Sequence, residues 1–129
     1  MTMSFDELIV KTFESDQRVD AIYLLGSVTN GYLRPDSDID IAILPAPGAK
    51  FDSICRYASA SLLSLELGRD IDIGLLSSDN LVYTYQAIMT GRRLFARNPG
   101  DADQRLACLL GMYGQFNLDR AEVCNAYST

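Results

Sequence analysis

The sequence contains no histidine and no tryptophan. Without an imidazole there is no Ser-His-Asp or Cys-His nucleophile, no HExxH metal helix and no histidine general base. Catalysis in this chain falls to carboxylates, hydroxyls, cationic side chains, backbone amides or a metal held by oxygen ligands. Cysteine is sparse: Cys55, Cys108 and Cys124 are odd in number, widely spaced and free of any CxxC pattern. That excludes a disulfide framework and a zinc site. The three are expected as small buried or half-buried thiols in a reducing compartment. No apolar run approaches the roughly 18 residues of a membrane span. Met1 to Asp16 mixes acids with apolar positions, unlike a basic and then hydrophobic leader. A cytoplasmic protein that does not touch membranes is expected.

Basic charge is also short, 11 Lys+Arg against 17 Asp+Glu, for a net charge of −6. Proteins that grip nucleic acid usually carry a basic patch that releases counterions from phosphates. None is visible, so direct binding of DNA or RNA is not expected. A basic protein, or a small anion held together with metal ions, fits the charge better.

What is present suits an ordinary globular chain: 129 residues, 48% hydrophobic and 22% charged, read as a single domain over residues 1–129. Ser4 with Glu7 three residues on, followed by the stripe Phe5, Leu8, Ile9 and Phe13, predicts an opening helix. Val19 to Leu25 reads as a buried strand. A polar stretch with Gly31 and Pro35 follows and leaves room for a further helical turn. Asp38 to Leu44 then alternates as a second strand, closed by Pro45, Pro47 and Gly48. Phe51 to Leu67 predicts a helix stopped at Gly68, and Asp70 to Leu76 a third strand. Ser78 or Asp79 can cap another helix reaching about Thr90. Arg92 to Ala96 reads as a short strand or an extended exit. From Asp101 to about residue 126, Leu106, Leu109, Leu110 and Tyr113 mark a closing helix. The order predicts an α/β (α+β) fold, a small mixed sheet with helices packed against it.

The chemistry concentrates at the strand ends. Alternate residues of a strand share a face about 6.5–7 Å apart, so Asp38 and Asp40 project together while Ile39, Ile41 and Ile43 fill the core side. Two carboxylates on one face repel, and burying them unpaired costs several kcal/mol. Hard divalent cations remove that cost, and Mg²⁺ commonly takes one or two carboxylates plus substrate phosphates. Two such ions can serve an in-line phosphoryl displacement. A third carboxylate on a neighbouring strand would complete the site. Asp72 suits that role, although Asp70 shares its face by spacing and sits beside Arg69 as an ordinary surface acid would. Gly26-Ser27 is the complement: a Gly lets phosphate approach the backbone, and a Ser hydroxyl with successive N–H groups can hold its oxygens. Two rival phosphate motifs fail. Tyr32 stands where a Walker loop needs Lys, and Gly-Ser-Val-Thr-Asn-Gly lacks the central Gly of a dinucleotide fingerprint.

Gly26-Ser27, ten residues and Asp38-x-Asp40 resemble the signature of the polymerase-β-like nucleotidyltransferases. The fuller stretch Leu25 to Ile43 looks like the minimal nucleotidyltransferase (MNT) branch, and the similarity covers about residues 19–76. Average composition puts a chance occurrence on the order of 10⁻³, so the motif carries weight. The resemblance implies a single-domain polymerase-β-like nucleotidyltransferase fold. It also implies that Asp38, Asp40 and Asp72 are catalytic and bind metal, two Mg²⁺ ions in all, and that Asp72 also acts on the incoming hydroxyl. Gly26 and Ser27 match the triphosphate turn, and Ser37 the serine that often precedes the first Asp. Asn30 and Arg34 lie in the loop between, where an exposed loop position serves as well as a phosphate contact. Proteins of this kind are commonly the antitoxin half of HEPN–MNT toxin–antitoxin modules. The implied activity is therefore transfer of AMP from ATP, the co-substrate, to a tyrosine of a HEPN ribonuclease toxin.

Two other functions fit the same residues. The chain could neutralise its partner by masking alone, or it could modify a small hydroxylated molecule such as an antibiotic. Arg92 and Arg93 could touch phosphate, pair with a partner or cap the preceding helix.

Overall fold

A computed structural model describes residues 4–25 and 38–127, with side chains through residue 122. The stretch after the first strand that was left room for a helical turn lies outside the described residues. Helix α1 (Phe5–Phe13) starts where Ser4 caps it, the Glu7 N–H donating to Ser4 Oγ at 3.2 Å. Strand β1 (Val19–Leu25) and strand β2 (Ile39–Pro45) run antiparallel. Helix α2 (Ser53–Leu67) crosses over to strand β3 (Ile71–Leu75), which lies parallel to β2. A 3₁₀ turn (Ser78–Asn80) leads into α3 (Leu81–Thr90), β4 (Arg92–Ala96) pairs antiparallel with β1, and α4 (Pro99–Tyr127) closes the chain. The strand order is β3-β2-β1-β4.

Strand alternation divides the sheet into two apolar faces. Ile22, Leu24, Ile39, Ile41, Ile43 and Ile73 pack against Ile9 and Phe13 of α1 and Leu63 of α2. The opposite face carries Ala21, Tyr23, Leu25, Ala42 and Leu44 under Ala87 of α3 and Ala102 and Leu106 of α4. Branched aliphatic residues on one side and a mixture of alanine, leucine and tyrosine on the other let four helices cover one sheet.

Several boundaries differ from the sequence expectation for local reasons. Helix α2 begins at Ser53 because Asp52 caps it, accepting from the Cys55 N–H at 3.0 Å. Phe51 is left outside the helix and buries its ring against Phe13. Neither Ser78 nor Asp79 caps α3. Instead buried Thr84 closes that end, donating to the Ser77 carbonyl and accepting from the Ser77 N–H, both at 3.1 Å. Helix α4 starts two residues early, with Pro99 in its first turn, where its missing N–H costs nothing. Asn98 Oδ1 accepts from the Asp101 N–H at 3.1 Å. The apolar stripe of α4 packs through Leu106 and Leu109, and Tyr113 stacks on Tyr85 of α3 with ring centroids 4.1 Å apart. Beyond that stack the stripe leaves the body, so Phe116 and Leu118 are exposed. Cys55 is half-buried as expected, but Cys108 of α4 is exposed. The helix was read as amphipathic, yet most of its described side chains from Gly114 to Glu122 are exposed.

Arg92 and Arg93 pair within the chain. Arg92 forms an ion pair with Asp6 of α1 at 2.8 Å, and Arg93 bonds Asp103 of α4 and donates to Tyr23 Oη at 3.1 Å. Arg97 ties the start of the chain to the exit of β4. Its Nη2 donates to the carbonyls of Glu14, Asp16 and Val19, each at 3.0 Å. Replacing Arg97 by Ala leaves those carbonyls without a charged donor, which should cost about 1.5–3 kcal/mol. Urea unfolding should show that loss, and Lys at the position should recover only part of it, because one ammonium cannot copy the planar fork.

Candidate active site

The active end of the sheet is set by the parallel register of β2 and β3. The Ile39 N–H donates to the Asp70 carbonyl and the Leu76 N–H to the Ile43 carbonyl, each at 2.9 Å. Between those two bonds Asp40 lies directly opposite Asp72, Ile41 opposite Ile73 and Ala42 opposite Gly74. Adjacent strands sit about 4.8 Å apart, so the two carboxylates leave neighbouring strands side by side on one face. Asp38 ends the described chain on the other side of Ile39 and is exposed.

The register separates two acids that spacing alone could not. Asp72 is the neighbour of Asp40, whereas Asp70 precedes β3 and contributes its carbonyl to Ile39. Burial pushes the Asp40 carboxyl above the ordinary carboxylate range, and the negative charges of Asp72 and Asp38 push it further the same way. Asp40 is half-buried, while Asp38 and Asp72 are exposed.

Among the described residues, no three His, Cys, Asp or Glu side chains close around one ion position. The donor set is nevertheless hard oxygen only, and the pair Asp40–Asp72 carries like charge that a divalent cation would relieve. Mg²⁺ suits such a set because it usually takes one or two carboxylates and fills its octahedron with water and phosphate oxygens. Gly26, Ser27, Asn30, Arg34 and Ser37 lie outside the described residues. The residue before Gly26, Leu25, is the register partner of Asp40.

The structure adds two neighbours that sequence patterns did not single out. Tyr83 of α3 lays its ring over Gly74 of β3, so that a Cβ on Gly74 would stand 2.2 Å from Tyr83 Oη. Burial and the charges of Asp40 and Asp72 push the Tyr83 hydroxyl up to about 12, while Arg56 of α2 pulls it the other way. Tyr83 therefore stays a neutral phenol beside the carboxylates. A glycine inside a strand often marks a close approach, and Gly74 in Asp70-Ile-Asp-Ile-Gly-Leu-Leu76 was that signal. Arg56 and Asp72 line the same small cavity of about 90 Å³ at the sheet edge.

A family model described as polymerase beta, nucleotidyltransferase matches residues 7–100. The chain belongs to that nucleotidyltransferase family. It is similar to the protein adenylyltransferase MntA of Shewanella oneidensis, 34% identical over 84 residues. Those residues are 65% of this chain and 59% of that protein, so the match spans under two thirds of the relative. A crystal structure of a toxin–antitoxin with AMP-PNP aligns with a TM-score of 0.81 at 26% identity, over 96% of this chain and 98% of that one. A complex of tri-AMPylated Shewanella oneidensis HEPN toxin with MNT antitoxin aligns at 0.75 and 25% identity, over 97% of each chain. The expected nucleotidyltransferase fold is thus the observed one, over nearly the whole length.

Two measurements check this geometry. Because the folded pKa of Asp40 is raised, its contribution to stability is present when it is protonated and is lost as pH rises through that value. Asp40→Asn should therefore raise the melting temperature of the metal-free protein at neutral pH, and the gap should close as pH falls into the carboxylate range. Gly74→Ala forces the Tyr83 ring off the strand and should destabilise by about 1–3 kcal/mol. The double variant Gly74→Ala/Tyr83→Ala should lose less than the two single losses added together, as thermal denaturation would read.

Proposed function

We propose that this chain is a Mg²⁺-dependent protein adenylyltransferase and the antitoxin of a HEPN-type ribonuclease toxin, acting in the cytoplasm. It moves AMP from ATP onto a tyrosine hydroxyl of that partner. The observation that carries the reading is the lateral pairing of Asp40 with Asp72, beside Asp38, at the open end of the sheet. The similarity to an adenylyltransferase, to a toxin–antitoxin with AMP-PNP and to an antitoxin bound to an AMPylated toxin supports it.

In the chemistry, the acceptor oxygen forms a bond to the α-phosphorus as the bond from that phosphorus to the bridging oxygen of pyrophosphate breaks. Asp38, Asp40 and Asp72 would hold Mg²⁺, which when bound neutralises the triphosphate and the charge that builds on the leaving group. Asp72, the more exposed of the strand pair, receives the proton from the acceptor hydroxyl. Asp40, half-buried and opposite Leu25 in the sheet register, forms the inner member of the pair. Gly26 and Ser27 hold the β- and γ-phosphates, with Ser37 leading into Asp38. Positioning and charge neutralisation supply most of the acceleration in such a transfer. No described helix is long and apolar enough to cross a membrane, and the −6 charge favours a basic protein surface as acceptor.

The test uses the full chain with a HEPN-type ribonuclease as partner, ATP and Mg²⁺. Intact-mass spectrometry should find one or more AMP units on the partner and none after Asp38→Asn/Asp40→Asn, while that variant still forms the complex. Mg²⁺–ATP should raise wild-type stability by about 2.7 kcal/mol at a hundredfold excess over Kd, and Ser27→Ala should weaken nucleotide use roughly ten- to a hundredfold. Neutralisation of the ribonuclease with no change of mass would leave masking as the function.

A further inference from the structure

Helix α2 turns one face to the sheet through Leu63 and leaves the other without cover. Ile54, Tyr57, Leu62 and Leu65 are 78%, 74%, 59% and 83% exposed. At 100° per residue they fall within one side of the helix, together with Ala58 and Ser61, and that side carries no charged residue. Four large apolar side chains in one uncharged stripe are unlike the scattered single exposures of an ordinary surface.

The stripe borders a groove. Between α2 and β3, Tyr57, Ser61, Leu65, Asp70 and Ile71 line an open depression of about 600 Å³. Tyr57, Ala60 and Ile71 also line the smaller cavity that holds Arg56 and Asp72. The groove therefore adjoins the cavity that Asp72 lines, the two sharing Tyr57, Ala60 and Ile71 as a common wall. Its lining is mostly apolar, with Asp70 at the groove itself and Asp72 in the adjoining cavity. Among the described strands β3 forms the outer edge of the sheet, next to β2, and an edge strand offers its outward backbone groups to a further extended segment.

We propose that this α2–β3 groove is the docking site for the acceptor polypeptide, an extended segment of the partner that carries the hydroxyl to be modified. The assignment rests on the transferase reading above and names where its protein substrate lies. Three observations select this occupant. The wall shared with the cavity of Asp72 means that a segment seated along Leu65 and Tyr57 brings its next residues towards that carboxylate. The uncharged stripe asks for apolar side chains on the segment. Asp70 and Asp72, in a chain of net charge −6, ask for basic residues beside the hydroxyl.

Leu65→Glu and Ile54→Glu place a charge on side chains that are already more than three quarters exposed, so the fold should survive, as an unchanged melting temperature would show. With the HEPN protein as partner, binding measured by calorimetry should weaken at least tenfold in each. AMP transfer should fall in parallel, while the thermal shift given by Mg²⁺–ATP stays at the wild-type value. Phe116→Glu on the free end of α4 serves as the comparison. Wild-type binding in Leu65→Glu, or loss of binding in Phe116→Glu alone, would overturn the assignment. So would a wild-type homodimer in sedimentation that Leu65→Glu dissociates, since the face would then join two copies. Binding and transfer are scored separately: a wild-type chain that binds through α2 yet transfers no AMP keeps the docking site and ends the transferase reading.

Discussion

The arrangement turns on one unfavourable pairing, Asp40 beside Asp72 on adjacent parallel strands. Like charges placed laterally in a sheet destabilise it, and here one of them is half-buried. The sheet holds them by strength elsewhere. On the reverse side of the same residues, Ile39, Ile41 and Ile43 are fully buried and Ile73 nearly so. Each strand is thus anchored by its aliphatic face and strained by its acidic one. A slip of one residue would turn the isoleucines out and the aspartates in, so the core that stabilises the fold also fixes the separation of the carboxylates.

Covering the acidic face sets a second constraint. Helix α3 must approach β3 closely enough to shield the sheet without filling the space above Asp40 and Asp72. Gly74 permits this, because its missing Cβ is where the Tyr83 hydroxyl sits. The phenol gives an uncharged wall. Aspartate or glutamate at position 83 would add to the repulsion, and a cation would pair with the carboxylates and compete with a metal. Arg56 reaches the same region from the opposite layer. The site is therefore framed by α2 and α3, on opposite faces of the sheet, and meets them at the outermost strand.

Much of this was legible in the sequence, for physical reasons. Period-two alternation with isoleucines placed both β2 and β3 and put Asp38 and Asp40 on one face. The caps at Ser4 and Gly68 delimited helices as expected. Which of Asp70 and Asp72 lies beside Asp40 needed the register, a property of two strands that no single strand encodes. Tyr83 lies eleven residues beyond Asp72, and only the glycine it packs on hinted at it. The ion pairs of Arg92 and Arg93 connect β4 to α1 and α4, contacts between distant segments that composition cannot order. The exposed face of α2 was hidden because a Leu- and Ala-rich helix reads as core on both sides until the number of layers is known.

That last point links packing to function. A helix between two parallel strands must lie on one face of the sheet, and only one side of it can reach the core. With no further layer over α2 among the described residues, apolar side chains on its outer side raise the free energy of the solvated protein without stabilising its fold. Serine or lysine at Ile54, Tyr57 and Leu65 would hold the helix equally well. The stripe is explicable if something else covers it, and geometry puts that cover next to the edge strand bearing Asp72. A transferase that uses a macromolecular acceptor must bring its hydroxyl to the edge of the sheet, because the two faces are occupied by helices. Asp72, Arg56 and Tyr57 of the uncharged stripe line one cavity at that edge, so the proposed docking and the proposed chemistry share one border of the fold.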